Sequence, residues 1–165
     1  MLRNKIKLQF AFFRLFCYIK KPSGRGGQYF KNLFVQKIKS GKAWEEVAVK
    51  ILVVDDERKV LRIYQGILED SGYEVVTAKF GKEAVELFLK ENFDLVTLDI
   101  MLSDISGLVV LKEMKEKKPH IPVIILSAYD YRDDFSDWVS DAYVMKRDDG
   151  KVLLDVIEKL LEKGE

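Results

Sequence analysis

A doubly wound α/β domain built on a five-stranded parallel sheet is predicted for most of this 165-residue chain, on three observations. Short runs of Val, Ile and Leu alternate with segments of helical period. Most of these runs are continuously apolar, which implies strands covered by helices on both faces and hence a parallel sheet. Four of the five runs stop abruptly at a carboxylate, hydroxyl or ammonium, as strands do when they deliver chemistry to one rim.

Taken in order, Lys50-Ile-Leu-Val-Val-Asp-Asp-Glu57 reads as an apolar strand ending in carboxylates. Val60, Leu61, Tyr64, Ile67 and Leu68 keep a helical period over 58–71, and Gly72 stands where a helix C-terminal glycine belongs. Residues 73–78 form the second strand. Residues 81–91 are helical, with Ala84, Val85, Phe88 and Leu89 as the apolar face. The third strand, about 95–98, runs into Asp99 and a Ser/Asp/Gly loop. A helix from Gly107 to Lys118 follows through Leu108, Leu111 and Met114 until Pro119 stops it. Residues 121–126 are a strand ending at Ser127-Ala128. The segment 130–139 is polar, short and weakly helical, and 142–145 is a strand ending at Lys146. Val152, Leu153, Val156, Ile157, Leu160 and Leu161 make the last amphipathic helix. Five such units predict a flavodoxin-like sheet of order 2-1-3-4-5, whose switch point lies between the first and third strands.

Charge divides the chain. Residues 1–50 hold 12 Lys and Arg against two Glu, whereas 51–165 hold 16 against 25 acidic residues. Residues 1–48 therefore read as a basic extension, separate from a domain at 49–165. Leu8 to Ile19 is too short to span a bilayer and contains Arg14. Lys20-Lys21-Pro22 stands where a signal peptide would need small residues. Leu8, Phe12, Leu15, Phe16 and Ile19 share a helical face, so a membrane-surface helix is an alternative to a segment without function. The extension is expected to be disordered or to precede the true start. Trp44-Glu45-Glu46 can be encoded by a purine-rich, ribosome-binding sequence a short distance before Val49, so translation from Val49 or Val47 is the favoured reading. No nucleic-acid-binding motif is visible, and with its only cysteine, Cys17, in the basic piece, the acidic piece has neither a disulfide nor a thiolate metal site, which suits a reducing cytoplasm.

An Asp after a strand can simply cap a turn. Asp55, Asp56 and Asp99 at one switch point, with Ser127 and Lys146 on the adjoining strand ends, are more than capping anticipates. Three crowded carboxylates repel one another unless a cation neutralises them. Mg²⁺ suits such a site, because it takes one or two carboxylates, keeps waters and completes its shell with phosphate oxygens. Lys146 and Ser127 can serve the remaining phosphate oxygens, and an Asp can itself be the nucleophile that forms an acyl phosphate.

In this order and spacing the residues from about Val49 to Leu161 resemble the receiver domain of bacterial two-component response regulators. The resemblance implies that Asp55 and Asp56 form the acidic pocket, Asp99 is the phosphoacceptor, Ser127 and Tyr143 are switch residues and Lys146 is the functional lysine. It implies Mg²⁺ held by Asp55, Asp56, Asp99 and the carbonyl of Met101, with a phosphate contact from the backbone of Ala128. The implied partners are a histidine kinase or phosphotransfer protein and an output protein, with no nucleic acid. No enzymatic activity is implied beyond Mg²⁺-dependent self-phosphorylation from a donor and slow self-dephosphorylation.

Three positions depart from the family pattern. Ser103 stands where Pro is usual, Arg147 replaces the usual Pro after the lysine, and the step from Ser127 to Lys146 is short. These make a phosphate-independent pseudo-receiver the first rival. A small Mg²⁺ phosphohydrolase using Asp99 is the second, and it lacks an extra general acid and a substrate cap. Only one helix follows Lys146, so a stand-alone receiver is expected. His120 reads as a solvated loop residue, and Phe135 and Trp138 as core or partner-facing groups. Gly81, Gly107 and Gly150 read as turn or helix-boundary glycines, and none makes a phosphate loop.

Overall fold

The computed structural model describes residues 49–128, 140–148 and 150–163. The chain divides into two units, Met1–Glu45 and Glu46–Glu165, and all described residues belong to the second. The expectations for 1–48, including Cys17 and the amphipathic face, lie outside the described residues, as do those for 130–139 with Phe135 and Trp138.

Strands β1 (Lys50–Val54), β2 (Glu74–Ala78), β3 (Leu95–Asp99), β4 (Val123–Ser127) and β5 (Ala142–Met145) alternate with helices α1 (Arg58–Asp70), α2 (Gly81–Lys90), α3 (Gly107–Lys117) and α4 (Gly150–Lys163). The sheet is parallel throughout in the order β2-β1-β3-β4-β5, as expected. Burial explains that order. β3 and β4 are buried along their whole length and β1 all but its first residue, whereas β2 and β5 are largely half-buried, as edge strands are.

The register aligns Val54 with Leu98, Asp99 with Leu126 and Ser127 with Met145, so the carboxyl ends of the strands meet at one rim. Leu52, Val54, Val96, Leu98, Val123 and Ile125 belong to one core cluster with Ala84, Val85 and Phe88 of α2 and Val110, Leu111 and Met114 of α3. Alternation turns Ile51, Val53, Leu95 and Ile124 to the opposite face, where α1 and α4 contribute Leu61, Tyr64, Leu68, Leu153 and Ile157 to the buried set. Each fully buried Leu or Ile contributes about 1.5–3 kcal/mol.

α1 ends as its glycine predicts. Gly72 has φ 91°, its amide donates to Glu69 O, and the Tyr73 amide donates to Leu68 O, the paired bonds of a Schellman cap. Two helical faces differ from expectation. Leu89 is 47% exposed, because the Leu87 flank of α2 is packed on the core and the Leu89 flank faces solvent. Val152 is likewise on the solvent side of α4, and Leu153 and Ile157 fill the core instead. β4 starts at Val123 rather than 121, since Pro122 has no amide to give the ladder. Among the described residues no helix is long and apolar enough to cross a membrane.

Candidate functional site

The end of β1 carries the first acidic group inward. Asp55 is 1% exposed, its amide donates to Ala78 O, and its Oδ1 accepts the Glu57 amide at 2.9 Å. The end of β3 does the same with Asp99, which is buried and accepts the Met101 amide on Oδ1 at 3.2 Å. Asp55, Asp56 and Asp99 each offer a carboxylate oxygen within 4.8 Å of the others. Such a donor set fits a hard divalent cation.

Lys146 supplies the opposite charge from the end of β5. Its Nζ lies 2.7 Å from Asp55 Oδ2 and 2.7 Å from Asp99 Oδ2. The Asp99 contact is an aligned hydrogen bond, whereas Asp55 Oδ2 has an ion pair without hydrogen-bond alignment. Burial pushes the Asp55 carboxyl above its ordinary value, and Lys146 and the Glu57 amide oppose this without cancelling it. Burial likewise works against the Lys146 ammonium, but Asp55 and Asp99 outweigh it and raise its pKa. Asp55 Oδ2 is thus a buried oxygen with an ion pair but no aligned hydrogen bond among the described residues, as expected where a cation would complete the site.

Ser127 is fully buried at the end of β4, and its carbonyl accepts the Lys146 amide at 2.8 Å. Ala128 and Met101 stand exposed in loops at the same rim. Tyr143 is half-buried in β5, opposite Ile125 and packed on the core cluster. The three carboxylates therefore cluster, Lys146 pairs with Asp55 and Asp99, and Ser127, Ala128 and Met101 lie at the adjoining strand ends.

The profile of the response regulator receiver domain matches residues 51–158. The chain belongs to that family. Receiver domains bind Mg²⁺ at an acidic Asp cluster and are signalling modules rather than enzymes. This receiver is similar to the alkaline phosphatase synthesis transcriptional regulatory protein PhoP of Bacillus subtilis, with 43% identity over 81 residues, 49% of this chain and 34% of that protein. It thus spans about a third of that relative's length. It is also similar to the response regulator TrrA of Thermotoga maritima, solved in complex with Mg²⁺ and BeF. The identity is 43%, with 67% of this chain and 97% of that one covered and a TM-score of 0.65. A second structure, of histidine kinase ThkA in complex with TrrA, is matched over 68% of this chain and 97% of that one, at 43% identity and TM-score 0.64.

Three contributors around the receiver site were not legible as such. Gly107 was read as a helix boundary, but a Cβ there would collide with Asp99 O and lie 2.9 Å from Ile100 Cα, so the start of α3 touches the backbone of β3. Asp104 accepts the Gly81 amide at 2.8 Å and the Lys82 amide at 3.1 Å, capping α2 from the β3–α3 loop. Slight burial opposes its charge, but these amides prevail and hold its carboxyl below the ordinary value. A cap 22 or 23 residues away has no local spacing signal. The third is Tyr64, read only as part of an apolar face, whose hydroxyl reaches Lys146 O.

Proposed function

We propose that this receiver is a phosphorylation-dependent switch that accepts a phosphoryl group on Asp99 from a histidine kinase or phosphotransfer protein. The observation that carries the reading is the Lys146 ammonium 2.7 Å from both Asp55 and Asp99, inside a cluster of three carboxylates. A carboxylate oxygen of Asp99 attacks phosphorus in line, an O–P bond forms and the donor's N–P bond breaks. The leaving imidazole takes up a proton. In this reading Lys146 binds an oxygen of the transferred group, and the Ser127 hydroxyl and the Ala128 amide donate to others. Asp55, Asp56 and Asp99, with the Met101 carbonyl, would hold Mg²⁺, which when bound neutralises charge on the transferring group.

Phosphate on Asp99 draws the Ser127 hydroxyl inward and lets Tyr143 turn toward the space it leaves, changing the surface near β5 and α4 that an output protein reads. TrrA supports the kinase partnership, since it has been solved both with Mg²⁺ and BeF and with a histidine kinase. Incubation with Mg²⁺ and a small acyl phosphate should label the protein, and beryllofluoride should shift its NMR spectrum. Asp99→Asn, nearly isosteric but without the nucleophilic oxyanion, should remain folded and unlabelled. Label persisting in that variant would remove Asp99 from its role, and no Mg²⁺-dependent response in the wild type would favour a phosphate-independent interaction module.

A further inference from the structure

Lys146 stands at the start of the β5–α4 connection, where its backbone position decides whether the ammonium reaches Asp55 and Asp99. Part of its anchoring comes from β4 and from the turn itself. Its amide donates to Ser127 O at 2.8 Å, the Asp148 amide donates to Met145 O at 3.0 Å, and Asp148 Oδ2 accepts the Met145 amide at 3.3 Å. These bonds hold the end of β5 and its turn, and none of them engages the Lys146 carbonyl.

A partner for that carbonyl comes from α1. The Tyr64 hydroxyl donates to Lys146 O at 3.5 Å, across 82 residues of sequence, and Tyr64 is 6% exposed. Three residues further along the same helical face, Ile67 fills the space over Gly150, where a Cβ would fall 2.7 Å from Ile67 Cδ1. One face of α1 therefore grips the connection at Lys146 and again at Gly150. Burial pushes the Tyr64 phenol up, so it is a protonated donor at neutral pH. Its charged surroundings are Lys146, Asp55, Asp148 and Asp99, the groups of the site itself.

We propose that Tyr64 is a positioning residue for phosphoryl transfer, its hydroxyl fixing the Lys146 peptide so that the ammonium is held between Asp55 and Asp99. The consequence for transfer rests on the phosphoryl-acceptor reading above, whereas the placement of the ammonium does not. A phenylalanine at this position keeps the packing and removes one oxygen. The freed ammonium then competes less for the two carboxylates, so Mg²⁺ should bind more tightly while transfer slows. A contact that only stabilised the fold would weaken both.

The test compares the full-length wild type with Tyr64→Phe. The expected results are an unfolding midpoint within about 5 °C of wild type, a broadened ¹⁵N–¹H signal of the Lys146 ammonium, assigned by its loss in Lys146→Arg, and Mg²⁺ affinity raised about twofold to threefold. Labelling by a small acyl phosphate should slow by about tenfold, at an unchanged KM for the donor, as a misplaced catalytic group predicts. An unchanged Lys146 signal and unchanged or weaker Mg²⁺ binding would overturn the role of Tyr64. If the wild type takes no label, the acceptor reading fails by itself, and the ammonium signal and Mg²⁺ affinity still decide on Tyr64.

Discussion

At the scale of the residue, Lys146 has the largest effect, because it is the counter-charge of two buried carboxylates. Lys146→Met should cost about 3–5 kcal/mol at pH 7, since it leaves Asp55 and Asp99 buried without their counter-charge. The pH dependence follows from Asp55. Its folded pKa is raised above the unfolded value, so its ionised form opposes folding at neutral pH, and that cost is relieved as pH falls through the raised value. Removing Lys146 takes away an influence that lowers this pKa, so urea denaturation should show a smaller deficit near pH 5 than at pH 7. In the wild type the contribution of Lys146 has the opposite direction. It is complete below 10.5 and lost as pH rises through the raised folded value. Thr97 offers a contrasting case. It is fully buried and its Oγ1 has no hydrogen-bond partner among the described residues, so Thr97→Val should stabilise the fold by about 1 kcal/mol, and a lower urea midpoint would contradict this. The charged site was legible because each group follows an apolar run that ends at it. The cost at Thr97 was not, since a Thr inside such a run reads as an ordinary β-branched strand residue.

At the scale of the element, the pieces are joined by contacts that have no periodicity. Lys115 of α3 is 9% exposed and donates to Asp141, to Ile121 O at 2.8 Å and to Pro119 O at 3.4 Å. Asp141 also accepts the Val123 amide at 2.7 Å, which fixes the start of β5 against β4. Lys115→Met should therefore cost about 1–3 kcal/mol, by removing a charge-assisted bond to Asp141 and the donor to the half-buried Ile121 carbonyl, and thermal unfolding will measure it. A loss as small as that of a surface ion pair would show that water replaces the lysine. Gly107→Ala should act on the site through the backbone. Its Cβ would force the start of α3 away from the Asp99 carbonyl, so Mg²⁺ affinity should drop by about tenfold or more as Asp99 is displaced. Helix and strand positions were readable from apolar spacing. Which flank of α2 is covered was not, because Leu87 and Leu89 are alike in sequence and only the packing of α3 distinguishes them.

At the scale of the whole molecule, the order of the sheet was legible because continuous apolar runs require central strands and because the carboxylates at 55 and 99 mark its switch point. Mg²⁺ should raise the unfolding midpoint by mass action, contributing about 1.4 kcal/mol at ten times its dissociation constant, and a midpoint indifferent to Mg²⁺ would count against the site. The position of β5 gives that stabilisation an unequal reach. Among the described residues β5 is a four-residue, partly exposed edge strand paired with β4 alone, whereas β1 and β3 lie in the interior of the sheet. Partial unfolding that releases β5 and α4 together would carry Lys146 away while leaving Asp55, Asp56 and Asp99 at the ends of the paired strands β1 and β3. A species opened in this way still binds the cation. Amide hydrogen exchange should then show Mg²⁺ slowing the global opening reported by Leu52 and Leu98, while the subglobal opening reported by Val144 is not slowed. The lysine and the carboxylates would thus belong to separate cooperative units, and the domain could lose its ammonium without losing its metal.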